Sequence, residues 1–99
     1  MADFTKAGLD RGDLEKELEN TLISARMLYR TYMVTIEELS KEELAYDLQE
    51  YTDQLNRFIM PLLKRAQATG DRKLVDMSYQ IIQSYEGITE AIRKRLNTP

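Results

Sequence analysis

Seven residues, Leu18, Leu22, Ala25, Tyr29, Tyr32, Ile36 and Leu39, follow one another at spacings of 4, 3, 4, 3, 4 and 3. A repeat averaging 3.5 residues keeps one stripe of an α-helix turned toward a neighbour, a pattern that strands and loops do not produce. The spacing returns in Leu44, Leu48, Tyr51, Leu55, Phe58 and Leu62, and more loosely in Leu74, Met77, Ile81, Tyr85, Ile88, Ile92 and Leu96. Each stripe must be buried against another, so the expected fold class is all-α.

Punctuation between the seams predicts the boundaries. Residues 1–12 contain Gly8 and Gly12 with no apolar period, and read as a flexible N-terminal arm before a single helical-bundle domain over 13–97. Asp10 or Asp13 is the expected cap of helix 1 (13–39), with Glu15, Glu17 and Glu19 suited to its positive dipole end. Ser40-Lys41-Glu42-Glu43 fits a capping box, in which Ser and Glu satisfy each other's backbone donors, and starts helix 2 (41–69). Pro61 lies inside that helix, lacks an N–H and crowds the preceding turn, so a kink is expected between Phe58 and Pro61. Gly70 suits a left-handed helix end, and Asp71 caps helix 3 (72–96). Gly87 weakens helix 3 unless it permits a close approach.

Short connections between long helices impose antiparallel neighbours, giving an up-down-up three-helix bundle. Charge supports the arrangement. Between 37 and 53, seven acidic residues face Lys41 alone, whereas between 57 and 73 five basic residues face Asp71 alone. Returning Arg93-Lys94-Arg95 to the acidic corner, and the acidic start of helix 1 to the basic corner, makes both ends complementary.

What the chain lacks narrows its chemistry. With no cysteine and no histidine, it has no thiolate nucleophile, no disulfide, no thiolate or imidazole metal ligand, and no imidazole base. A Glu-x-x-His di-iron site cannot be built. No phosphate-cradling glycine loop or nucleophile elbow occurs. The expectation is a non-enzyme with no cofactor and no metal. A net charge of −3 and a pI near 5.0 argue against direct nucleic acid binding. No run approaches the roughly 20 apolar residues of a membrane span, and the N-terminus has no signal-like apolar stretch, so a cytoplasmic protein is expected. At 99 residues with 42% hydrophobic content the chain can build a core, but a small one, burying about 65% of its unfolded surface.

The segment Thr21–Ile36 carries the strongest functional signal. Besides its seam, Ile23, Met27 and Val34 line the opposite side of helix 1, interrupted by Arg30. A helix apolar on nearly all sides needs covering on more than two, and two partner helices in one small chain do not supply that. The expectation is an intermolecular surface, a homodimer or heteromeric contact, in a small adaptor, chaperone-like or regulatory subunit. The competing reading covers that side internally with the N-terminal arm and Phe4.

A second candidate is the acidic stripe Glu43, Asp47 and Glu50 on helix 2, extended by Gln54 and flanked by Asp53. Such a stripe is most often a solvated face; its functional reading is an acidic inhibitor or nucleic-acid mimic docking a basic target. Tyr46 and Tyr79 fall off their seams and are further candidate contacts, whereas Tyr29, Tyr32, Tyr51 and Tyr85 are expected in the core. The Arg93–Arg95 cluster reads as the ordinary basic complement of a helix C-terminus.

Overall fold

A computed structural model describes residues 2–98, with side chains from Gly12 onward. It is all-helical, with no strand among the described residues. α1 (Ala2–Thr35) ends in a single 3-10 turn, Ile36–Glu38. α2 (Lys41–Gln54) runs through a π turn, Leu55–Ile59, into α3 (Met60–Thr69), and α4 (Arg72–Leu96) completes the chain. Three long helices, α1, the continuous α2–α3 helix and α4, pack into a rod of 61 × 20 × 20 Å. That width is about two helix diameters, as three rods side by side require.

The local signals at the α2 and α4 boundaries act as the sequence indicates. Ser40 Oγ accepts from the Glu43 N–H and Glu43 Oε1 accepts from the Ser40 N–H, each at 3.1 Å. Gly70 ends α3 at φ 70°, a left-handed conformation open to glycine, and Asp71 Oδ1 accepts from the Lys73 N–H at 2.9 Å. α1 differs at both ends. It is helical from Ala2, so Asp13 lies inside it instead of capping it; glycine disfavours a helix by about 1 kcal/mol without barring it, and Gly12 is carried through. The arm expected over residues 1–12, and Phe4 with it, has its side chains outside the described residues, Gly12 excepted. At the other end the α-helix stops at Thr35 and tightens, Leu39 N–H bonding to Ile36 O at 3.2 Å.

Two clusters fill the interior. One is aliphatic: Leu14, Leu18, Leu22 and Ala25 of α1 meet Ile59, Leu62, Leu63 and Ala66, with Leu74, Met77, Ile81 and Ile82 of α4. The other joins Tyr32, Ile36, Leu44, Ile88 and Ile92, with Leu28, Leu48 and Tyr51 packed on it.

Two seam residues depart from expectation. Phe58 is 64% exposed, and Ile59 takes the buried place instead. The helix does not break before Pro61: Gln54, Leu55, Ile59 and Met60 all keep helical φ and ψ, and Met60 N–H bonds to Leu55 O. A turn closed by an i→i+5 bond holds one residue more than an α turn, which carries Phe58 outward and brings Ile59 in. Tyr29, expected in the core, is 38% exposed. Its ring lies on Gly87, where an added Cβ would come within 2.7 Å of Tyr29 Cε1.

Candidate functional site

The two sides of α1 carry two apolar lines with the same spacing and opposite fates. Leu18, Leu22, Ala25, Tyr32 and Ile36 are buried. Ile23, Met27 and Val34, half a turn away, are 57%, 61% and 80% exposed. With Arg30 they form a second 4, 3, 4 line, flanked by exposed Lys16, Asn20, Thr31 and Glu38. Isolated exposed apolar side chains are ordinary on a protein surface, whereas these three are aligned in one row on one helix.

Charges on α1 divide along the same line. Glu17 accepts from Arg65 at 3.0 Å and Glu15 from Lys73 at 3.2 Å, while Arg26 donates to Gln80 of α4. Lys73 is held protonated above its usual range, first by the hydrogen bond to Glu15 and then by that residue's charge. On the outer line, Lys16, Arg30 and Glu38 have no ion pair among the described residues. The charges beside the core reach neighbouring helices, and those on the outer face are exposed.

An open groove follows the α1/α4 boundary beside this face. Tyr29 and Gly87 lie at its middle, with Arg26, Gln80 and Ser84 on one side and Met33, Ala91 and Lys94 on the other. The small residues Ser84, Gly87 and Ala91 let α4 approach α1 here, and the Tyr29 ring fills the space that they leave.

The acidic stripe is partly committed to the fold. Glu43 closes the capping box. Asp47, half-buried, accepts from Tyr32 Oη at 2.8 Å. Asp53 pairs with Arg57 at 3.0 Å, and Gln54 accepts from Tyr85 Oη at 3.3 Å. Of the stripe, Glu50 is the member exposed without a pairing among the described residues. Tyr32, Tyr51 and Tyr85 stack edge to face across the interior, with centroids 5.5 and 6.3 Å apart. Burial, reinforced for Tyr32 by its hydrogen bond to Asp47, pushes its phenol pKa far above the usual value; burial raises Tyr51 and Tyr85 as well. The Tyr32 and Tyr85 phenols act as donors that tie α1 and α4 to α2, and Tyr51 joins them through its ring.

Tyr46 (65% exposed) and Tyr79 (46%) are at the surface, but on α2 and α4, so neither extends the α1 line. Phe58 is a surface aromatic that heptad reasoning placed in the core; Pro61 three residues later was the signal, because a proline inside a helix forces the preceding turn to rearrange. Among the described residues no group of three or more metal-ligating side chains is placed to hold an ion, and no helix is long and apolar enough to cross a membrane. In comparisons with known proteins, the chain matches no family, no curated protein and no solved structure.

Proposed function

We propose that this chain is a non-enzymatic protein-interaction module, a small adaptor, chaperone-like or regulatory subunit, whose partner docks on the outer face of α1. The observation that carries the reading is the exposed line Ile23, Met27 and Val34, repeating the spacing of the buried seam on the same helix. Met27 gives that line an adaptable centre, and Arg30 adds an aliphatic stem that can cover apolar surface while its charge stays in solvent. The absence of histidine and cysteine from the sequence favours binding over catalysis. The acidic stripe is the weaker surface, because Glu43 and Asp47 already serve α2 and its junction with α1.

We also read the long helices as up-down-up, with the second bent at the π turn before Pro61. Supporting that order, Lys73 meets Glu15 and Arg95 meets the Glu37 carbonyl, whereas Arg65 meets Glu17 and Asp47 meets Tyr32.

A photoreactive side chain placed at Val34, and separately at exposed Lys64 of α3 as a control, tests the docking face in the cells that make the protein. A discrete protein adduct from Val34 and none from Lys64 supports it. Equal labelling from both positions, or none from Val34, would reject it.

A further inference from the structure

We infer that the occupant of the outer α1 face is a second copy of this chain, its α1 lying antiparallel across the first with the two-fold axis near Met27. The inference rests on the docking reading above and commits it to one partner and one orientation.

The charge order along the face selects the orientation. Read from the N-terminal end, the exposed face runs Lys16, Asn20, Ile23, Met27, Arg30, Val34 and Glu38. In a parallel, in-register pair every residue meets itself, so Lys16 faces Lys16, Arg30 faces Arg30 and Glu38 faces Glu38. All three contacts are like-charged, and such juxtapositions select against an arrangement. In an antiparallel pair centred on Met27, a residue meets the one equally far on the other side. Lys16 then faces Glu38, eleven residues from the centre each way, and symmetry makes that pair twice. Arg30 moves off its own copy and reaches Ile23 and Ser24, where its aliphatic stem covers the Ile23 side chain and its guanidinium stays in solvent. Met27 meets Met27, a flexible contact that tolerates the dyad. Lys16, Arg30 and Glu38 have no ion pair within the chain among the described residues, so nothing in the fold competes for them.

The strip from Lys16 along α1 to Thr35 and through the 3-10 turn to Glu38 spans about 35 Å, one helix wide. That is at the small end of specific interfaces. The expected self-association is therefore weak, with a Kd on the order of tens of micromolar.

The chain contains no cysteine, so single-cysteine variants report pairing without background. Disulfides need Cα atoms within about 7 Å. On mild oxidation Met27→Cys should link to itself, Lys16→Cys should not, and an equimolar mixture of Lys16→Cys and Glu38→Cys should give the mixed dimer. A charge exchange checks the same geometry without oxidation. Lys16→Glu and Glu38→Lys should each weaken dimerisation by about tenfold, and the double variant should return to within about threefold of wild type, all with unchanged helicity. Ready self-linking of Lys16→Cys would overturn the orientation. No cross-link at any position, with a monomeric mass at millimolar concentration, would overturn self-pairing itself. In that case a Val34 photo-adduct with a different protein would leave the docking face standing, and silence from Val34 as well would remove both.

Discussion

The inner and outer faces of α1 make an internal comparison, since one helix carries the same 4, 3, 4 spacing twice. On the inner face the apolar line is unbroken by charge and runs from buried Leu14 and Leu18 to buried Tyr32 and Ile36, with Tyr29 alone turned partly out beside Gly87. On the outer face it is shorter, broken by Arg30, and framed by charges that the fold leaves unused. Spacing alone therefore does not say what a seam packs against; continuity and the fate of the flanking charges do. The inner face should set stability and the outer face association, and the two should respond independently to mutation.

The largest separation is expected from truncation. Leu18→Ala removes a side chain with no solvent exposure and should lower unfolding free energy by about 3 kcal/mol. Val34→Ala, at 80% exposure, should change it by less than about 0.5 kcal/mol when measured at a concentration where the chain is monomeric. Denaturant melts of the two variants check this. Comparable losses would mean that the outer face is covered within the chain.

A second test uses pH on the inner face. Unfolded tyrosines ionise near pH 10, while Tyr32, Tyr51 and Tyr85 are held protonated to higher pH in the fold. Above pH 10 the unfolded chain thus binds fewer protons than the folded one, so stability should be fully present below pH 10 and fall as pH rises beyond it. Tyr32→Phe, which loses the bond to Asp47, should cost about 1 kcal/mol at neutral pH and flatten the alkaline decline. A decline equally steep in Tyr32→Phe would assign it to other groups.

The smallest effect is expected at the boundary between the faces. Gly87→Ala gains up to about 1 kcal/mol of helix propensity but places a methyl against the Tyr29 ring. Net stability should move by less than about 1 kcal/mol, while the ring swings outward, visible as a shifted Tyr29 resonance. An unmoved ring would mean that the two helices separate instead.

The sequence made much of this legible, and its failures have local causes. Caps at Ser40 and Asp71 and the stop at Gly70 are short-range chemistry and read directly from neighbouring residues. The aliphatic seam of α4 and the exposed line of α1 follow from helical periodicity. Phe58 and Ile59 exchanged roles because Pro61 forces a wide turn, and a fixed heptad count cannot include the extra residue. Tyr29 left the core because Gly87, distant in sequence, opens a surface notch shaped for its ring. The acidic stripe read as uniform because a carboxylate that accepts from a buried phenol looks, in sequence, like one facing water.

Mass in solution, followed by light scattering over a hundredfold range of concentration for wild type and Met27→Glu, tests the outer face most directly. Wild type should rise from 11.6 kDa toward twice that mass as concentration increases. Met27→Glu should stay at the monomer mass, with the same helicity and the same melting temperature as dilute wild type. Superimposable mass curves for the two proteins would contradict pairing through the outer face.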